Sequence, residues 1–513
     1  MDARLIARSV GALVGAVLLA AGSFALAQGP TVRTTSGVYA GADDGAIAVF
    51  KAIPYAAPPV GPLRWRPPQP VSPPATPQTA LAYGPACPQT VYPGGRTNAG
   101  GYTGPVSEDC LTLNIWAPKG ARKAPVMVWI YGGGNIAGAD SIPPNDGRAF
   151  ARDGVVLVAF NYRLGAFGFF AHPALTKAAP ADEPLGNYGL MDQIAALKWV
   201  RRNIEAFGGD PANVTIFGES AGGLDVLTLM TLPAAKGLFE KATVQSGGGW
   251  SEPVTLAAAE SKGAALAQSL GLPPDATVDQ LRAVPIDKLI AAGAAAGGVS
   301  PIVDGRLVVE TVAQAFAKGH QAAAPLIIGS NSDEASLLPP SSYAAFLAAQ
   351  SDATKAAFAD LAGDQAALAR AIFDDEVMGA PARWIAAKAS AKAPAWLYYF
   401  SYVRVVRRGK IPGANHTSEN PYVFDTQMII PNYADQIVDE DRALAATMHS
   451  CWVALAKTGT PTCAGAPAWP AYSAANDTLM EFGLTVEPRA RFRKAQRDAV
   501  EVQKAGLLDG AAR

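Results

Sequence analysis

The sequence predicts an α/β fold, a large and mostly parallel central sheet flanked by helices. Three observations predict it. Between residues 111 and 220, short apolar, β-branched runs alternate with helical periodicity, the pattern of strands joined by crossover helices. Ala-rich helical stretches at 256–296 and 341–393 then separate three more such runs. Of the 513 residues, 50% are hydrophobic and 17% charged, enough apolar material for a large core. Lys and Arg number 42 against 43 Asp and Glu, a net charge of −1, which predicts no nucleic-acid footprint and no polybasic membrane patch. Gly 51 and Pro 41 are raised but stay below the level of a fibre or a disordered chain.

In chain order, Arg4 and Arg8 precede an uncharged run from Ser9 to Ala27 that ends in the small-x-small triplet Ala25-Leu26-Ala27. That is the form of a signal peptide, residues 1–27, cut before Gln28. It leaves one domain, 28–513, secreted or periplasmic and not inserted in a membrane. Cys87, Cys110, Cys451 and Cys463 follow, an even count that suggests disulfides in an exported chain. Three pairings are open, and sequence neighbours favour Cys87–Cys110 and Cys451–Cys463. VRTTSGVYAGA and AIAVFKAIPY read as strands, and the proline-rich stretch after them as an ordered surface loop. LTLNIWAP, APVMVWIY, GVVLVAFNY and NVTIFGES are the strands of the alternating region, and YGLMDQIAALKWVRRNIEAFG is its clearest helix. KATVQSG, APLIIGS and AWLYYFSYV are the later strands.

The chemistry is concentrated at strand ends. Gly218-Glu219-Ser220-Ala221-Gly222 lies between the strand NVTIF and an apolar helical run. A serine on so sharp a turn needs strained backbone and a glycine two residues to either side, and the following helix aims free N–H groups at the reacting centre. A hydroxyl needs a base, and its tetrahedral intermediate needs donors. Gly132-Gly133-Gly134, after the strand PVMVWI, allows backbone N–H groups to approach a substrate oxygen. Of the four histidines, His449 falls in a helix, His320 on a surface loop and His172 after an aromatic run. His416, on a polar loop after a strand, suits a base, and an ordinary imidazole would place the acidic limb of the rate near pH ~6.5. Asp333 and Glu334, between nucleophile and base, are both candidates for the orienting acid. The histidines have no metal-ligand spacing, so neither metal nor cofactor is expected.

These blocks, with SEDCLTLNIWAP, NYRLGAFGFF, GESAGG, PIVDG and SNSDEAS in one order over about 31 to 485, resemble the type B carboxylesterases. The resemblance implies an α/β-hydrolase fold and a serine ester hydrolase acting on a small-molecule ester through an acyl-enzyme. It implies Ser220 as nucleophile, Glu334 as acid, His416 as base, and the N–H groups of Gly133, Gly134 and Ala221 as oxyanion donors. It also implies the Cys87–Cys110 bridge and the ion pairs Arg64–Glu108 and Arg163–Asp192. The alternative is an inactive adhesion module of the same family, against which all three reactive residues stand. This chain departs from the family pattern at Asn135, where an aromatic residue is usual, at His416-Thr417-Ser418-Glu419, where Gly follows His, and at Leu224-Asp225. Asn135, Glu219, Phe167, Trp250 and the 338–348 loop are candidate pocket walls. A polar Asn135 facing substrate would favour short-chain, polar or aromatic esters.

Overall fold

A computed structural model describes residues 29–294, 298–431 and 433–508. The expected signal peptide lies outside the described residues. Eleven strands form the main sheet: β1 (Ala42–Asp44), β2 (Ile47–Pro54), β3 (Thr112–Pro118), β4 (Ala124–Ile130), β5 (Val156–Phe160), β6 (Gly209–Glu219), β7 (Lys241–Gln245), β8 (Leu326–Asn331), β9 (Ala395–Phe400), β10 (Thr478–Phe482) and β11 (Val486–Ala490). Their spatial order is β11-β10-β9-β8-β7-β6-β4-β5-β3-β2-β1. The strands from β5 through β10 are parallel, and the pairs at both flanks are antiparallel. Thr31–Thr34 and Gly37–Ala40 form a hairpin in a small separate sheet.

The parallel strands are mostly buried, wholly so in VLVAF of β5 and LIIGSN of β8, because helices cover both sheet faces. Helix α1 (Tyr188–Asn203) buries Leu190, Ile194, Leu197 and Val200 at helical spacing and ends at Gly208 in the left-handed region after one tighter turn. Helix α2 (Ala221–Thr231) follows β6 directly, and α3 (Asp439–Thr458) closes at Gly459, φ 80°. The sequence reading did not identify β10 and β11. TLMEF is short and does not alternate, and VEPRA is an exposed edge strand carrying Pro488.

Both neighbour pairings form disulfides, Cys87–Cys110 and Cys451–Cys463. Arg163 clasps Asp192 of α1 with Nε and Nη2, each at 2.7 Å, which pins the helix to the end of β5. Arg64 pairs with Glu108, and its Nη1 donates to the carbonyls of Arg282 and Val284 at 2.9 and 2.7 Å. Both pairs are buried, so removing one partner would leave an uncompensated charge. No helix among the described residues is long and apolar enough to cross a membrane.

Candidate active site

β4, β6, β8 and β9 run parallel, so the segments that leave their C-terminal ends meet at one edge of the sheet. Ser220 stands at the turn from β6 into α2 with φ 56° and ψ −126°, a region a side chain occupies only under strain. The two flanking glycines serve close approach. A Cβ on Gly218 would lie 2.4 Å from the Gly222 carbonyl oxygen, and one on Gly222 would lie 2.1 Å from that of Ile130.

The glycine loop after β4 lies against this turn, since a Cβ on Gly132 would come within 2.8 Å of Ser220 Cβ. Gly133, Gly134 and Asn135 follow with φ of 103°, 66° and 57°. The Gly133 carbonyl accepts from the N–H groups of Ile136 and Ala137, and that of Gly134 from Val299. The N–H groups of Gly133 and Gly134 donate to no acceptor among the described residues. Ala221 opens α2, where the first N–H groups have no intrahelical partner. The three expected oxyanion donors are thus brought to one place.

Glu334 follows β8, fully buried. Its Oε1 accepts from Ser246 Oγ and from the Asn331 N–H, each at 2.6 Å, and its Oε2 lies 2.6 Å from His416 Nδ1. Asp333, its neighbour, turns the other way and pairs with Arg370. The backbone N–H of His416 donates to Ser336 Oγ at 2.9 Å, which anchors the loop despite the absent glycine. No hydrogen bond joins His416 to Ser220 among the described residues. The imidazole Nε2 lies 3.1 Å from Glu219 Oε1, off the direction of a hydrogen bond. The other histidines do structural work. His172 caps a short helix through the Ala174 N–H, His449 Nδ1 contacts the Val423 carbonyl, and His320 pairs with Glu310 at the surface.

Two carboxylates shape this site beyond the sequence reading. Glu419, three residues past His416, is buried and accepts from Gln245 Nε2 at 3.1 Å and from Asn331 Nδ2. Burial raises the pKa of Glu219 to about 8, with Glu419 and Glu334 adding to the rise and His416 opposing it. Desolvation lowers the His416 pKa, but Glu219, Glu334 and Glu419 outweigh it and raise the value to about 9. The neighbouring acids thus favour the protonated ring more than the ordinary imidazole expected from sequence. Since a base must be neutral, the acidic limb of kcat/KM should have its midpoint above pH ~6.5, and Glu219→Gln should move it down. Rate profiles on a p-nitrophenyl ester read this directly, and a wild-type midpoint at or below ~6.5 contradicts it.

Asn135 is where the sequence-based expectation fails. Its side chain is wholly buried behind the loop, with Nδ2 donating to Asp225 Oδ1 at 3.2 Å and Oδ1 accepting from Tyr162 Oη at 3.0 Å. Asp225 in turn accepts from Gln193 Nε2 at 2.6 Å. Burial raises the Asp225 pKa to about 7 against those two hydrogen bonds. Asn tolerates the left-handed backbone, and its amide ties the loop to α2 rather than facing substrate.

A cavity of 430 Å³ opens over Tyr131, Gly133, Glu219 and His416, walled further by Asn98, Ile142 and Tyr433. Of the expected pocket walls only Glu219 lines it. Phe167 borders a separate cavity of 120 Å³, Trp250 packs against Trp384 with ring centroids 6.1 Å apart, and the 338–348 segment joins a satellite core with Phe358. Beyond the glycine loop, Glu219 and His416, the walls come from segments at 98–101, 142–145 and 417–433, which carry no periodic signal.

A profile of the carboxylesterase family matches residues 28–366 and 360–500. The chain belongs to the carboxylesterase family. This carboxylesterase is 37% identical over 502 residues to the para-nitrobenzyl esterase of Bacillus subtilis, covering 91% of the chain and 98% of that protein. It is 36% identical over 479 residues to the fumonisin B1 esterase of Sphingopyxis macrogoltabida, covering 88% and 86%. Among solved structures, a thermophilic PNB esterase superposes with a TM-score of 0.81 at 34% identity, over 92% of this chain and 99% of the other. The carboxylesterase has the α/β-hydrolase fold and is a carboxylic ester hydrolase.

Proposed function

We propose that Ser220 is the nucleophile, His416 the general base and Glu334 the acid that orients it, with the N–H groups of Gly133, Gly134 and Ala221 receiving the oxyanion. The observation that carries this reading is the 2.6 Å contact of Glu334 with His416 on the strand-end edge that also presents Ser220. His416 takes the Ser220 proton as Oγ attacks the ester carbonyl, and the oxyanion forms against the free N–H groups. The base then passes that proton to the departing alcohol. Water, activated by the same imidazole, releases the acid. For this step Nε2 must leave Glu219 for Oγ, and apo hydrogen bonds of this kind tighten only with substrate bound.

A cavity of 430 Å³ with Asn98 and Asn145 in its wall suits compact esters better than long acyl chains. Export with cleavage after Ala27, and one domain from Gln28 onward, accord with the two disulfides. A phosphonate ester that captures serine hydrolases tests the nucleophile. Peptide mapping should find one adduct, on the peptide carrying Ser220. An adduct on any other residue, with Ser220 unmodified, refutes the assignment.

A further inference from the structure

Between β9 and His416 the chain carries four cations in seven residues, Arg404, Arg407, Arg408 and Lys410. Arg408 is paired with Glu440 on the surface. Arg404 and Arg407 form no ion pair with any described residue. The Arg404 guanidinium lies 3.4 Å from the centroid of the Tyr433 ring, and its Nη1 is buried with no hydrogen-bond partner among the described residues. Arg404 precedes the short 3₁₀ turn Val405–Arg407 and Arg407 ends it, and both side chains reach one side of that turn. That side is a cavity of 250 Å³. Tyr422, whose hydroxyl is also buried and unpartnered, lines it too. No carboxylate is among the described residues lining it. The nearby acids are occupied: Glu440 by Arg408, and Asp441 by Tyr402 Oη at 2.8 Å and the Val438 N–H at 3.0 Å.

This cavity and the one over His416 share Asn415, Ser418 and Tyr433, so they abut at the residue next to the base. A buried guanidinium nitrogen with an idle N–H is costly, and a carboxylate satisfies it with two parallel hydrogen bonds. A tyrosine hydroxyl can donate a third. We propose that Arg404, Arg407 and Tyr422 form a subsite for a carboxylate carried by the ester substrate, on the portion that extends past His416. The preferred substrates are then anionic esters, such as half-esters of dicarboxylic acids. The inference rests on the reading of Ser220 and His416 as the reacting pair.

The test compares monoethyl with diethyl esters of succinic, glutaric and adipic acid at neutral pH, where the free carboxyl is ionised. The readout is the ratio of kcat/KM for half-ester over diester. It should exceed unity for at least one chain length in the wild type. It should fall about tenfold or more in Arg404→Gln and in Arg407→Gln, and stay put in Arg408→Gln, which pairs with Glu440 and does not line the cavity. Arg407 is exposed, so its variant carries the test if Arg404→Gln fails to fold. An unchanged ratio in folded Arg407→Gln and Arg404→Gln, or a wild type that prefers the diester at every length, overturns the proposal. The ratio is independent of which side chain performs the chemistry. A Ser220→Ala protein that kept its activity would refute the nucleophile while leaving this comparison intact.

Discussion

Replacing Ser220 with alanine is expected to lower kcat on p-nitrophenyl butyrate by about 10⁴-fold or more, with no loss of fold. The hydroxyl is the only group proposed here to form the acyl-enzyme, so nothing replaces it. Stability should survive because the Ser220 side chain makes no capping hydrogen bond, and its strained φ of 56° is borne equally by alanine. The backbone contacts that hold the turn, Ser220 N–H to Gln245 at 2.8 Å and Leu224 N–H to Ser220 at 3.0 Å, are untouched. A residual rate above water is expected from the N–H groups alone, at roughly 10³–10⁴. Circular dichroism melting beside steady-state rates checks both halves. A folded variant with a tenth of wild-type kcat would be incompatible with the mechanism.

Glu334→Gln is expected to cost about 10⁴-fold in kcat, although it changes only one atom type. The direction follows from the hydrogen bonds around the carboxyl. Ser246 Oγ and the Asn331 N–H both donate to Oε1, so an amide must place its oxygen there. Its NH₂ then faces His416 Nδ1, where Oε2 now lies. The ring is driven to carry its proton on Nε2, the tautomer that cannot accept from a serine. Asp333→Asn, by contrast, should weaken the Arg370 pair and leave most of the rate. Comparing the two variants on one ester decides between the adjacent acids, and a loss below tenfold in Glu334→Gln removes it from the mechanism.

How much could be read in advance depended on how local the determinant was. The nucleophile turn and the glycine loop were legible because their backbone demands glycine at fixed offsets, a requirement written within seven residues. The choice of Glu334 over Asp333 came from family resemblance alone, since adjacent residues share every local signal and differ only in what β8 points them toward. Glu219 and Glu419 escaped as influences on His416 because their effect depends on burial and on each other, across about 200 residues of chain. Asn135 was misjudged for a related reason: its partner, Asp225, is 90 residues away, and each looked anomalous alone. The rest of the pocket wall was illegible because segments without periodicity build it.

The bond between Asn135 and Asp225 also constrains how this protein can change. An apolar residue at 135 would take away a donor from a buried carboxyl that retains only Gln193, while an apolar residue at 225 would leave the Asn135 amide with only the distant Val299 carbonyl, at 3.5 Å, to donate to. Either substitution alone orphans the other member of the pair, whereas making both removes donor and acceptor together and leaves Gln193 Nε2 as the group to be satisfied. The two positions are therefore epistatic. Any route, natural or engineered, toward a wider glycine loop has to treat the loop and the helix behind Ser220 as one heritable unit.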